Sequence, residues 1–228
     1  PELEMKRLLA AGSGPIFQLA KAFRAEELGA WHQPEFTLVE WYGPGDETAL
    51  CHHTQALAVA VAAAVGSPHA DAWEREAWPI WTFDEVWARA GAPPRAELSR
   101  EAIDETWALS VQPTLQNPCF VRAWPATHVG MAEIDGEGLG RRIEAFCGGV
   151  ELCNGYVERT KADAYRSAWQ AEFAGRPEAD RIDHDFLESL EAHPLPACAG
   201  NALGLERLVA QALDALRLSD VMPFYWER

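Results

Sequence analysis

Three short stretches of the chain concentrate residues able to do chemistry. The first, FRAEELGAWHQPEFTLVEWY from Phe23 to Tyr42, carries Arg24, Glu26, His32, Glu35, Phe36, Glu40 and Tyr42. Alternate residues of an extended chain share a face, so Arg24 sits with Glu26, and Glu40 with Tyr42. A solvated face accounts for scattered charges, but not for Arg, Glu, Phe, Glu and Tyr gathered on one side. The second stretch, IEAFCGGVELCNGYVER from Ile143 to Arg159, sets Glu144 on one strand and Glu151, Asn154, Tyr156 and Glu158 on its partner. Two carboxylates facing each other across a hairpin repel unless a cation lies between them. Magnesium suits such a pair, being held by one or two carboxylates plus substrate phosphates; for this segment alone an ordinary acidic hairpin is the default. The third stretch, AGNALGLERL from Ala199 to Leu208, leads small residues into a strand and then places Arg207 at the start of an apolar helix. A cation there opposes the helix dipole, a cost that an anion bound by Arg207 would offset.

The elements that must position these residues follow from periodicity and turn chemistry. Glu2 to Leu9 has helical spacing, with Met5, Leu8 and Leu9 on one side. Gly12 to Pro15 ends it. Ile16 to Phe23 and Phe36 to Tyr42 read as a long antiparallel hairpin around a polar loop from Ala25 to Gln33. A helix is expected over Glu47 to Val65, and Thr82-Phe-Asp-Glu85 resembles a capping box. Residues 91–118 are expected to be helical and peripheral, Cys119 to Trp124 a strand, and Gly136 to Gly140 a flexible loop. Arg142 to Cys147 and Val150 to Tyr156 form two strands across a Gly148-Gly149 turn. Helices over Lys161 to Phe173 and His184 to Ala192, a strand over Gly200 to Leu205 and a core helix over Glu206 to Leu216 complete the chain. Strands interrupted by long helical insertions, with several hairpins, make this an α+β fold with an antiparallel sheet flanked by helices.

Composition narrows the function classes. With 228 residues, 48% of them hydrophobic, the chain can bury one sizeable core, and a single domain over 1–228 is expected. A formal charge of −16 repels polyanions and favours a basic protein partner, so broad nucleic-acid binding is not expected. Five widely spaced cysteines without CxxC spacing suggest reduced, buried thiols in a cytoplasmic enzyme. Neighbouring residues of a helix point in different directions, so Cys51-His52-His53 makes a poor metal cluster. No apolar run approaches the ~20 residues needed to span a membrane, and no signal peptide is visible. The numbering opens on Pro1 rather than Met, so the chain can begin inside a longer protein.

Taken in order, FRAE…HQPEF resembles motif 2 and GNALGLERL resembles motif 3 of the lysine branch of the class II aminoacyl-tRNA synthetases, with the likeness running from PELEMKRLL to VMPF. The resemblance implies the class II catalytic core and an enzyme that uses ATP and Mg²⁺ to activate lysine or (R)-β-lysine as an adenylate. It implies that Arg24 holds the α-phosphate and the amino-acid carboxylate, that Glu26 meets the adenine edge, that Phe36 stacks on the ring, and that His32 lies near the phosphates. Arg207 would clamp the γ-phosphate, and Glu144 and Glu151 would hold magnesium. The amino-acid pocket would comprise Glu2 at the α-amino group, Asn154 near the carboxylate, Glu40, Tyr42 and Glu158 around the ε-ammonium, Tyr156 against the stem, and Ala202 at the wall. Lysyl-tRNA synthetases usually carry Gly at the last of these positions, whereas the paralogues that modify elongation factor P resemble this chain in carrying Ala. That points to a lysine of elongation factor P as acceptor and away from tRNA. A tRNA-charging catalytic fragment and a non-catalytic amino-acid-binding regulator remain as alternatives. Motif 1, which builds the family's homodimer, and the OB domain would precede Pro1. The chain departs from the family at Gln33, Tyr156, Arg159 and Lys161, and the last two are expected to disturb the pocket rim.

Overall fold

A computed structural model describes residues 1–25, 27–173 and 182–226. Its first helix, α1 (Glu2–Ala10), opens with Glu2 and Glu4 at the positive end of the helix dipole. It turns Met5, Lys6 and Leu9 inward. Leu8, expected on the buried side, is 55% exposed, and Lys6 takes its place. Two strands follow, β1 (Ile16–Phe23) and β2 (Glu35–Gly43), paired antiparallel along their whole length. The long helix α2 (Glu47–Ala64) is capped by Asp46, whose side chain accepts from the Ala49 N–H at 3.1 Å.

Next come α3 (Ala70–Arg75), β3 (Ile80–Thr82) and α4 (Phe83–Arg89), the last opened by the expected Thr82–Glu85 capping box. Residues 91–118 hold α5 (Arg100–Thr106), a π-helical turn at Trp107–Val111 and short 3₁₀ turns. They are not peripheral. Trp107 and Val111 are buried with Phe83, Trp87, Trp124 and Phe146 in a core of their own. The expected strand from Cys119 to Trp124 breaks at Ala123, whose φ of 56° no strand accommodates. It divides into β4 (Cys119–Arg122) and β5 (Trp124–Pro125), and β5 pairs with β6 (Leu139–Gly140) inside the loop expected to be flexible.

The second hairpin, β7 (Arg142–Cys147) and β8 (Val150–Val157), turns through Gly148 and Gly149 at φ 59° and 72°. Two helices, α6 (Ala162–Glu172) and α7 (His184–Ala192), lead to β9 (Ala199–Gly204) and α8 (Leu205–Ala212). The final helix is shorter than expected: Leu213 caps it, and Asp214 at φ 53° leaves the helical path.

Seven strands form one sheet in the order β1-β2-β9-β8-β7-β4-β3. All neighbours run antiparallel except β3 and β4. The expected antiparallel sheet is therefore mixed at one edge, because β3 was not foreseen. One face packs on α2 and α8 through residues such as Val39, Ile143, Ala145, Cys153, Leu203 and Leu208. A further cluster joins α1, α6 and α7 through Met5, Leu9, Tyr165, Phe186 and Leu190, and Tyr42 belongs to it. No described helix is long and apolar enough to cross a membrane. All five cysteines are free and buried.

Candidate active site

The sheet face away from α2 carries the predicted residues in two adjacent rows. Hydrogen-bonded register sets Gln18, Glu40, Ala202, Asn154 and Glu144 side by side across β1, β2, β9, β8 and β7. The next row reads Ile16, Tyr42, Gly200, Tyr156 and Arg142. Directly opposed residues point to the same side of a sheet, so segments distant in sequence converge by pairing alone. A cavity of about 330 Å³ opens over these rows, within the ~300–1,000 Å³ usual for small-molecule sites. Glu2, Arg24, His32, Phe36, Glu40, Tyr42, Glu151, Asn154, Tyr156, Glu158, Ala202 and Arg207 all line it. Of the expected site residues only Glu144 does not, and Glu26 lies outside the described residues.

One end of the cavity is acidic and closed. Glu40 is 2% exposed; its Oε1 accepts from Tyr42 Oη at 2.6 Å and its Oε2 from Gln18 Nε2 at 3.2 Å. Burial, then the nearby Glu2, drives the Tyr42 phenol well above its ordinary range, which keeps it a neutral donor. Glu158 follows β8 and is also 2% exposed. Its Oε2 lies 2.7 Å from Lys6 Nζ and accepts from Tyr165 Oη at 3.1 Å, whereas its Oε1 is buried without a partner. Burial pushes the Glu158 carboxyl up to about 7 against the pull of Lys6. Gly200 makes this crowding possible, since a Cβ there would lie 2.2 Å from the Tyr42 ring and 3.1 Å from Glu158 Oε1.

Asn154 sits midway. Its Nδ2 donates to Glu144 Oε1 at 2.9 Å, and its Oδ1 is buried and unpartnered. As oriented it leaves an acceptor free, which suits an ammonium, while Nδ2 keeps a second N–H. Glu144 also accepts from Arg142, whose guanidinium lies 4.3 Å over the Trp124 ring. Burial lifts the Glu144 carboxyl to about 8, with Arg142 opposing. The register shift after Ala145 places Glu144 opposite Asn154 and Glu151 opposite Phe146. The two carboxylates do not face each other as the sequence suggested. Of the two, Glu151 alone opens onto the cavity.

The other end is cationic. Arg207 Nε donates to Trp31 O at 3.1 Å, and Nη1 donates to Glu151 O at 3.0 Å. Those carbonyls offset the unfavourable dipole and tie the loop to β8. Arg24 lies over the Phe36 ring at 5.3 Å and 3.4 Å from Glu27. Burial, then Arg207, holds the His32 imidazole below its ordinary range. Gln33 anchors the loop from behind, accepting from Trp226 N at 2.8 Å. Neither Arg159 nor Lys161 lines the cavity. Sequence reasoning passed over Lys6, Arg142, Tyr165 and Gly200. Lys6 had a signal: it shares the arc of Glu2, Met5 and Leu9, where a solvent-facing cation does not belong.

The seven-stranded, mostly antiparallel sheet thus carries a cavity with an acidic end and an end that holds Arg24 and Arg207. The family described as tRNA synthetases class II (D, K and N) matches residues 1–227, and the chain belongs to it. Among curated proteins it is 38% identical to the elongation factor P--(R)-beta-lysine ligase of Pectobacterium carotovorum, over all of this chain and 76% of that one. It is also 38% identical to the ligase of the same name from Erwinia tasmaniensis, with the same coverage. The namesake from Proteus mirabilis is 37% identical over 98% of this chain and 75% of its own.

Proposed function

We propose that the protein activates (R)-β-lysine, or lysine, with ATP and passes it to a lysine side chain of elongation factor P. The observation that carries the substrate is the closed acidic end of the cavity. Glu158 Oε1 and Asn154 Oδ1 are buried acceptors without partners, and Glu2 and Glu40 lie alongside. A buried carboxylate needs a cationic partner, so this end takes an ammonium and rejects an apolar side chain. The names of the relatives supply the β-isomer and the acceptor.

At the cationic end, Arg24 would bridge the amino-acid carboxylate and the α-phosphate. Arg207, already fixed by two carbonyls, would meet the outer phosphates. The carboxylate then attacks the α-phosphorus in line, pyrophosphate leaves, and an aminoacyl adenylate forms. No protein nucleophile is required; positioning and charge neutralisation lower the barrier. Glu151 is a carboxylate open to the cavity, which fits a magnesium ion held mainly by phosphate oxygens, with Glu144 behind it as second ligand. Such an ion would neutralise charge on the leaving pyrophosphate. The adenylate would next be attacked by the acceptor amine, releasing AMP.

The test is pyrophosphate exchange with lysine, (R)-β-lysine and other amino acids, followed by transfer to purified elongation factor P and to tRNA. Exchange with a lysine isomer and labelling of elongation factor P are expected. Exchange silent with every lysine isomer refutes the substrate reading, and efficient charging of tRNA with elongation factor P unmodified refutes the acceptor.

A further inference from the structure

Lys6 is wholly buried at the base of the acidic pocket. Its Nζ lies 2.7 Å from Glu2 Oε1 and 2.7 Å from Glu158 Oε2, ringed by Tyr42, Tyr156 and Tyr165 at 5.5–6.0 Å. It does not line the cavity, so no substrate reaches it. A lysine stripped of water is costly unless its partners compensate. The pairing of Glu158 is one-sided: Lys6 and Tyr165 both converge on Oε2, and Oε1 is left buried without a partner among the described residues, near Gly200.

We infer that Lys6 is a positioning residue of the amino-acid pocket, which pins one oxygen of Glu158 so that the other is presented to the second ammonium of a diamino acid. This rests on the substrate reading proposed above. The charge balance agrees with it. Glu2, Glu40 and Glu158 against Lys6 leave a formal excess of two negative charges. A diamino acid brings two ammonium groups, while its carboxylate is left to Arg24. Lys6 also acts on the ionisation of Glu158, which is faced by Lys6 and Glu2 from α1, Tyr165 from α6, Tyr42 from β2, and Cys198. Of these only Lys6 is a cation, so removing it leaves the Tyr165 hydroxyl alone to oppose burial and favours the protonated acid.

The experiment compares wild type, Lys6→Met, Glu158→Gln and the double variant in pyrophosphate exchange, with the diamino acid and ATP varied separately. For Lys6→Met the KM for the diamino acid should rise at least about tenfold, as for loss of one member of a buried charge pair. Its kcat and its KM for ATP should stay within about threefold, and the acid limb of kcat/KM should move to higher pH. In the Glu158→Gln background, adding Lys6→Met should cost less than about twofold, because Lys6 acts through Glu158. If Lys6→Met alone does not fold, the double variant, which leaves no uncompensated Glu158 charge, is compared with Glu158→Gln and decides the matter on the same threshold. An unmoved KM in Lys6→Met, or equal losses in both backgrounds, overturns the role of Lys6 while leaving the substrate reading intact. A wild type silent with every diamino acid overturns both.

Discussion

Arg24 and Phe36 claim the same space. The guanidinium rests over the ring on which, in the proposed reading, an adenine would stack, so a nucleotide entering that position would have to displace Arg24 from the ring. Arg24→Ala should therefore cost about 10²–10³ in exchange rate, the usual effect of removing a transition-state donor. Because Arg24 is exposed and, among the described residues, its ion pair is with Glu27 across 3.4 Å, thermal denaturation should be little changed. An exchange rate within twofold of wild type would refute the assignment. Glu158 makes a different prediction. Its carboxyl, pushed up to about 7 by burial, is ionised above that pH and takes a proton below it. The counter-charge for an incoming ammonium is thus present at pH 8 and lost on acidification. The kcat/KM for the diamino acid should fall through pH 7, with Glu158→Gln flat and low across the same range. At the pocket wall, Ala202→Gly should improve α-lysine relative to (R)-β-lysine by a graded factor. A methyl-sized change is worth only ~1–3 kcal/mol, and an unchanged ratio of the two kcat/KM values would make Ala202 a packing choice.

Strand β9 shows what the sequence could and could not convey. Alternation over Ile16–Phe23 and Glu35–Gly43, and the paired glycines at 148 and 149, announce two hairpins, because pleat and turn are local properties. The site residues on those hairpins were legible for the same reason. That β9 inserts between β2 and β8, and so brings Glu40 and Asn154 to either side of Ala202, is a matter of long-range pairing, on which periodicity is silent. The bulge after Ala145 escaped notice too, and with it the register that pairs Glu151 with Phe146, two residues along β7 from Glu144. Arg142 was hidden because a buried cation looks like a surface one until its partners are known, whereas Lys6 stood on the buried arc of α1 and was passed over. The short β3 hid between tryptophans, and its parallel pairing with β4 had no sequence signal. Gly200 is the element-level test of the row geometry. Gly200→Ala would drive a methyl into the Tyr42 ring, displacing the donor that fixes Glu40. Overpacking of this kind costs about 1–3 kcal/mol, and the diamino-acid KM should rise with the loss of stability. A variant with wild-type melting temperature and KM would mean that the row has room for the methyl.

The whole molecule carries a formal charge of −16, with its cationic groups spent largely inside the site or in ion pairs. A basic acceptor would be drawn to such a surface and a polyanion repelled, and both effects are screened by salt. For a basic acceptor surface, raising sodium chloride should therefore raise the acceptor's KM severalfold while leaving that for the diamino acid nearly constant, since its pocket is buried. Equal salt sensitivity of both would argue against surface steering. The sheet order has one more consequence. Among the described strands, β9 is hydrogen-bonded along both edges and covered by α8, whereas β1 is an edge and Arg24 lies beyond its end. Local opening begins where backbone pairs are few and exposed. Hydrogen exchange should therefore proceed faster around Arg24 than at Ala199–Gly204. Under mild denaturant the protein would lose its grip on the nucleotide while the floor of the amino-acid pocket is still folded, so the two ligands should protect different amides against exchange.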